Sequence, residues 1–350
     1  MPPNKSIVRI YYTIGVDTTF TDEQRMLESA ANALGDRFGL GSVSDLATAD
    51  PGRVWRELTE LGMTGLTLPA EVEGSAASAV EVAIVAEALG RHLVPAPYLG
   101  PVAAMELLAI AQAHRELAAA LSGERLVTLG LDRSLADLAG SGDAVGWDAA
   151  VSSDALGIVR TGKHWQPILI PIDETSSIDT DLTRRLARTT FDDLVPSQVG
   201  VPIDGDAFVR WRAFALTVVC ADMVGVMRGA LDMAVEYVKG RVQFGRPIGE
   251  FQAVQHLCAD QAVVVEAARA ATYYSAWGVD GLSASHALTA ARTAKAYVSR
   301  SAREVTECVL QLHGGMGQTW ESLPHVYLRR ALLDRLTLGD ETVHIEHLGA

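Results

Sequence analysis

A nearly unbroken helical run from 208 to 240 most limits what this chain can fold into. A helix of that length spans about 50 Å. Gly225 and Gly229 lie four apart on it, share a face and leave room for a second backbone to approach. Three further helical runs follow, over 250–280, 284–311 and 324–348. Four long helices in succession predict an antiparallel bundle.

The start of the chain reads differently. Residues 1–20 lack periodicity and read as a loose leader. Thr21 then opens a helix, with Gln24 three residues on to complete a capping box. Met26, Leu27, Ala30, Ala31 and Leu34 follow at helical spacing. A second helix over 51–62 puts Val54, Trp55, Leu58 and Leu61 on one face and stops at Gly62. Residues 65–69 read as a loop or brief extended piece, and 71–75 as a turn. An apolar helix over 78–90 and one or two more over 101–121 complete an all-α region.

From Arg125 to Val201 the helical period fades. Short apolar runs at 126–131, 155–160 and 167–172 are separated by Gly, Asp and Ser, the pattern of strands and turns. The expected fold class is mainly α with a central β domain. It comprises a leader (1–20), an N-terminal α-helical domain (21–123), a reduced middle β domain (124–205) and a C-terminal four-helix-bundle domain (206–350).

Composition excludes some partners. Lys and Arg number 29 against 43 Asp and Glu, a formal net charge of −14, which repels nucleic acid and anionic lipid. Cys220, Cys258 and Cys308 are widely spaced in apolar helical patterns, as expected of buried thiols in a reducing compartment. No set of metal ligands is expected. No signal peptide pattern and no apolar run of about 20 residues is evident. The expectation is a cytoplasmic protein that does not engage a membrane.

Two motifs carry chemistry. The first runs from Tyr237 through Arg241, Gln243, Phe244, Gly245 and Pro247 to Gln252. A helix ends near Gly240, Gly245 and Pro247 force a tight turn, and a new helix starts near Gly249. An Arg fork beside amide side chains suits a pyrophosphate or the edge of an adenine-ribose. A capped turn with a surface Arg would look the same. The second motif is Gln311-Leu312-His313-Gly314-Gly315-Met316-Gly317, where glycines permit positive φ and close approach to a ligand.

In this order and on this architecture the two motifs resemble those of the acyl-CoA dehydrogenase family, most strongly over 206–330. The resemblance implies an N-terminal helical domain, a middle β-barrel-like domain and a C-terminal four-helix bundle, with FAD bound across a subunit interface. By resemblance, Arg241, Gln243, Phe244, Gln252, Gln311, Gly314 and Gly315 match positions that touch the ADP half of a neighbouring subunit's FAD. The implied reaction is α,β-dehydrogenation of an acyl-CoA thioester, in which a carboxylate takes the α proton and the β hydride goes to flavin N5.

The residues that this reaction needs in the chain itself are missing. The family pattern places the base in a Glu-Gly-Thr triplet. The matching triplet here, nine residues after Arg329, is Leu338-Gly339-Asp340. Leucine cannot accept a proton. An earlier base position used by some members falls near Ala215 or Leu216, and the nearest acid on that helix is Asp222. Glu341 is the weak local substitute, and a solvated or capping role suits it better. The family's flavin-side signature, Thr-Glu-Pro followed by Gly-Ser-Asp, is expected near 127–140, where the chain reads Val127-Thr128-Leu129-Gly130-Leu131-Asp132-Arg133-Ser134.

Features serving a neighbour's FAD are thus kept while features serving the chain's own active site are lost. This pattern is similar to the base-lacking subunit of heteromeric (α2β2) acyl-CoA dehydrogenases of actinobacterial steroid degradation. It implies a catalytic dehydrogenase subunit as partner, with the acyl-CoA in that partner's site. Two other readings stay open: an active homo-oligomer with a relocated base, and a flavin-free scaffold or acyl-binding protein.

Overall fold

The computed structural model describes residues 19–72, 74–172, 177–178, 180–190 and 197–349. The expected leader lies outside them except for its last two residues, and the expected turn at 71–75 lies outside them at one position. The N-terminal helices are α1 (Asp22–Phe38), α2 (Pro51–Glu60), α3 (Ala79–Arg91), α4 (Leu99–Ile110) and α5 (His114–Leu121). Thr21 caps α1 with the capping box its sequence predicts. Ser78 and Glu81 form a second such box on α3.

Seven strands follow: β1 (Val127–Asp132), β2 (Asp143–Trp147), β3 (Asp154–Thr161), β4 (His164–Pro171), β5 (Ser177–Ile178), β6 (Leu186–Thr190) and β7 (Ser197–Gln198). They form one sheet in the order β5-β6-β2-β1-β3-β4-β7. All pairs are antiparallel except β1 with β3, where Leu129 stands opposite Leu156. The three apolar runs became β1, β3 and β4. Strands β2 and β6 went unread because Gly146 and the polar Arg188-Thr189-Thr190 stretch break any alternation.

The C-terminal part holds α6 (Gly205–Gly240), a hairpin of β8 (Val242–Gln243) and β9 (Arg246–Pro247), α7 (Gln252–Gly281), α8 (Ala284–His313), α9 (Pro324–Leu336) and α10 (Glu341–Gly349). The last expected helix is therefore two helices, parted at Leu338-Gly339, and α7 starts at Gln252 because a short 3-10 turn (Ile248–Glu250) intervenes. Helix α6 is the axis of the molecule. It is long and apolar enough by composition to cross a membrane, contrary to the expected absence of such a run. However, 94% of its most apolar window is buried inside the protein.

Close backbone approach at glycines lets α3 lie directly on α6. A Cβ placed on Gly225 would lie 2.0 Å from the Glu87 carbonyl oxygen, and one on Gly229 would lie 2.0 Å from that of Arg91. Gly90 on α3 reciprocates, with its Cβ position 2.3 Å from the Asp222 carbonyl oxygen. The Gly225/Gly229 spacing is thus used as its sequence implies.

A buried charge network ties the three regions together. Arg330 on α9 donates to both oxygens of Asp222 on α6, at 2.9 and 2.5 Å, and to the Val94 carbonyl at 3.1 Å. Arg184, from the loop before β6, pairs with Asp222 at 2.8 Å and also with Asp334. All four side chains are buried. Burial pushes the Asp222 carboxyl up, but Arg184 and Arg330 outweigh it and hold Asp222 well below the usual carboxylate range. Burial pushes the Asp334 carboxyl well above that range; Arg184 pulls against this and Asp222 adds to it.

Two variants test these contacts by denaturant unfolding. Gly225→Ala forces α3 and α6 apart and is expected to cost about 1–3 kcal/mol. Arg330→Met leaves Asp222 short of a partner and is expected to cost about 3–5 kcal/mol.

Candidate functional site: two turns at the end of the bundle

Helix α6 ends at Gly240, and Arg241 leaves it in extended conformation. The β8–β9 hairpin follows at once. Its two central residues, Phe244 (φ 53°) and Gly245 (φ 80°), both have positive φ, the requirement of a tight type I′ hairpin turn. Gly245 meets that requirement without strain, whereas Phe244 does so at a cost. The Ile248 N–H donates to the Arg241 carbonyl at 2.8 Å and closes the base of the hairpin. The Phe244 ring is 93% exposed and meets Phe251 edge-on, with centroids 6.2 Å apart. Arg246 stacks over the other side of that cluster, 4.1 Å from the Phe251 centroid.

The second turn closes α8. Gly314 adopts φ 58°, which ends the helix. Tyr237, one turn before Arg241 on α6, stacks on His313 with centroids 4.3 Å apart and planes 23° from parallel. His313 Nδ1 donates to the Val309 carbonyl at 2.8 Å, which fixes the ring. This stack brings the two motifs to one end of the bundle; neither aromatic was singled out from the sequence as its cause.

The sequence-predicted residues sit on this surface as follows. Arg241, Gln243, Phe244, Gln252, Gln311, Gly314 and Gly315 are all exposed. Among the described residues, nothing hydrogen-bonds to or ion-pairs with the guanidinium of Arg241, and Gln243 bonds only to its neighbour Val242. A Cβ on Gly245, Gly314 or Gly315 would meet nothing, so the backbone there is open to a ligand. The nearby exposed apolar residues Val242, Leu257, Val263, Met316 and Trp320 make an unusual amount of uncovered hydrocarbon for a surface. A groove of about 470 Å³, lined by Val235, Val238, Pro247, Val254 and Cys258, runs beside the hairpin.

The Leu338 turn is built in the opposite way, closed rather than open. Leu338 is 1% exposed. Its N–H donates to the Leu135 carbonyl at 2.6 Å, and its carbonyl accepts from His344 Nε2 at 3.0 Å. Leu135 belongs to the loop after β1, where the flavin-side signature was expected. Lys295 on α8, fully buried, binds the same turn from beneath. Its Nζ donates to the carbonyls of Asp334, Arg335 and Gly339 at 3.0, 2.8 and 2.8 Å and to Ser299 Oγ at 3.0 Å. It caps the end of α9 as a cation should. Burial brings the Lys295 pKa down to about 8.

Glu341 begins α10 and is held bidentately by Arg335, at 2.6 to 3.0 Å. Burial raises its carboxyl pKa, but the Arg335 hydrogen bond outweighs this and the group stays below its ordinary value. Asp340 Oδ1 accepts the N–H groups of Thr342 and Val343 as an N-cap. Ala215 and Leu216 are buried in α6, and Asp222 is taken up by the two arginines. Sequence reading overlooked Lys295 and His344. A lysine between Ala291, Ala294 and Val298 on an otherwise apolar face was the available signal for the first.

Two outcomes are expected here. Lys295→Met orphans three carbonyls and is expected to cost about 3 kcal/mol in denaturant unfolding. His344 supplies a pH signature. Burial, and after it the charge of Lys295, lowers its pKa from 6.5 to about 3, so the native ring is neutral where the unfolded ring takes up a proton. The unfolded state then binds more protons between about pH 6.5 and 3, and stability falls as pH drops through that window, by up to about 1.4 kcal/mol per pH unit. His344→Gln is expected to flatten this part of the profile in thermal melts. An unchanged profile would show that His344 titrates normally.

Residues 21–124 match the family described as acyl-CoA dehydrogenase, N-terminal domain, and residues 215–350 match acyl-CoA dehydrogenase, C-terminal domain. The chain is similar to acyl-CoA dehydrogenase IpdE2 of Mycobacterium tuberculosis, 35% identical over 323 residues that cover 89% of this chain and 91% of the relative. It is also similar to acyl-CoA dehydrogenase FadE34 of the same organism, 30% identical over 89% of this chain and 45% of that protein. Its fold matches a chain of the Tcur3481-Tcur3483 steroid ACAD G363A variant, with TM-score 0.82, 23% identity and 94% and 97% of the two chains covered. It likewise matches a chain of the ChsE4-ChsE5 complex from Mycobacterium tuberculosis, with TM-score 0.76, 23% identity and 95% and 98% covered. The chain belongs to the acyl-CoA dehydrogenase family.

Proposed function

We propose that this chain is the non-catalytic subunit of a heteromeric acyl-CoA dehydrogenase and completes the FAD site of a catalytic partner. The contrast between the two turns carries this reading. Where the base is expected, Leu338 is buried and its backbone is bonded to Leu135, so the two places that should frame this chain's own pocket close on each other. At the far end of the bundle, Arg241 is exposed, without a partner for its guanidinium among the described residues, near open glycines.

The exposed residues fit the ADP half of FAD. An unpartnered guanidinium suits a pyrophosphate, the amides of Gln243, Gln252 and Gln311 suit sugar and base edges, and Gly314 and Gly315 admit close approach. Phe244, held exposed at an unfavourable φ, offers a ring for packing. Bound FAD supplies the hydride acceptor of the family reaction. This chain's residues bind and orient its distal half, and the partner's carboxylate takes the α proton. The uncovered hydrocarbon around Phe244 and Trp320 is the surface that the partner covers. In this reading 21–123, 124–205 and 206–350 act as three domains. The protein works in the cytoplasm, and the substrate is an acyl-CoA of the steroid side-chain or a related lipid class, by analogy with the named steroid neighbour. Glu341 serves as the anchor of Arg335 and not as a relocated base.

Arg241→Ala in the complex with the partner tests the assignment. FAD retention is expected to weaken by about 1.5–3 kcal/mol, the loss of a charge-assisted hydrogen bond, read by equilibrium dialysis. Unchanged retention would count against it. One FAD per chain and turnover by this chain alone would favour the self-sufficient homo-oligomer. No flavin recovered with a partner present would favour a scaffold.

A further inference from the structure

The β8–β9 hairpin carries two arginines, and its register puts both on one face. Val242 stands opposite Pro247, and Gln243 opposite Arg246. One pair further down, the Ile248 N–H donates to the Arg241 carbonyl. Directly opposed residues of an antiparallel pair point to the same side, and so do alternate residues along a strand. Arg241, Gln243 and Arg246 therefore share one face of the ribbon. Val242 and Pro247 take the other, and Pro247 accordingly lines the apolar groove with Val235, Val238 and Val254. Diagonal neighbours on one face, as Arg241 and Arg246 are, stand about 7–8 Å apart, within reach of each other for long side chains.

Arg246 is held in place but not satisfied. Its side chain is exposed. Its guanidinium lies over the Phe251 ring, 4.1 Å from the centroid. That contact uses the flat face of the group and leaves its N–H edge free. Among the described residues nothing accepts a hydrogen bond from that edge or pairs with its charge. Glu250, the nearest acid in sequence, lines the groove on the Pro247 side and forms no ion pair with Arg246. Phe251 is itself braced, edge-on to Phe244 with centroids 6.2 Å apart. A guanidinium already seated on a ring gives up less freedom on binding than a loose one.

We propose that Arg246 is a second phosphate ligand of the dinucleotide site, so that Arg241 and Arg246 hold the pyrophosphate of one FAD between them. This assignment rests on the proposed FAD site at Arg241 and extends it to a residue that site does not require. A pyrophosphate bears a charge on each of its phosphoryl groups, and a single guanidinium leaves one of them to face a chain of formal charge −14. A second planar fork on the same face supplies the missing donors. Gly245, between the two strands, would meet nothing with a Cβ, so no side chain at the tip screens that face. An acidic side chain of the partner is the competing occupant. The shared face with Arg241 and Gln243, away from the apolar groove, favours the dinucleotide.

The test uses the complex with the catalytic partner and reads two quantities: the FAD dissociation constant by equilibrium dialysis, and assembly by analytical ultracentrifugation with FAD in excess. Arg246→Gln is expected to weaken FAD about tenfold, the size of one charge-assisted hydrogen bond, and to leave assembly intact. Arg246→Lys keeps the charge but loses the fork, and is expected to fall between that variant and the parent. The isolated Arg246→Gln chain is expected to melt where the parent chain does. A complex that falls apart with FAD in excess would assign Arg246 to an acid of the partner and overturn the proposal. A lower melting temperature of the isolated variant would make Arg246 a structural residue and overturn it as well. Unchanged FAD binding by Arg246→Gln, alongside the loss expected for Arg241→Ala, would overturn this assignment and leave the site at Arg241 standing. Unchanged binding in both variants would overturn both.

Discussion

The ion pairs of Asp222 and Asp334 with Arg184 and Arg330 are the constraint on which the rest of the structure depends. Two guanidinium groups cannot be buried without acceptors, and these acceptors come from different parts of the chain. Asp222 sits on the helix axis, Asp334 on the last turns of α9, and Arg184 on the loop that feeds β6. Satisfying all of them at once sets where α9 lies against α6 and how the sheet docks on both. It also sets where α9 ends. From that end Lys295 gathers three carbonyls, and the Leu338 turn acquires its fixed shape.

A family active site needs an open place for substrate and a base aimed into it. In this chain the corresponding place is spent on structure. Leu338 is packed, its N–H is bonded across to Leu135, and Glu341 is bound to Arg335. The opposite end of the bundle leaves the Arg241 guanidinium without a partner among the described residues and the rings of Phe244 and Trp320 exposed, although both features work against stability in an isolated chain. On the proposed reading, a second subunit and a shared dinucleotide cover both.

Much of the helical architecture was legible because it rests on local rules. Thr21 and Gln24 announce a capping box, and Gly225 with Gly229 announces a close helix contact; both are in place. What escaped sequence reading depends on distant partners. Strand β6 is polar, and only its pairing with β2 makes it a strand. The long final run reads as one helix because its composition is helical throughout, yet it breaks where Leu338 and Gly339 adopt φ of 60° and 97°. That break is held by Lys295, 43 residues away from Leu338 in sequence. The two site motifs were visible as strings of residues. Their meeting was not, because it runs through the stack of Tyr237 on His313, 76 residues apart.

The central claim is a division of labour, with flavin held by this chain for chemistry done by another. Flavin-to-chain stoichiometry in the co-expressed, co-purified complex with a dehydrogenase partner tests it most directly. The account predicts one FAD for every two chains, with turnover only in the complex. One FAD for every chain, with turnover by this chain alone, would contradict it.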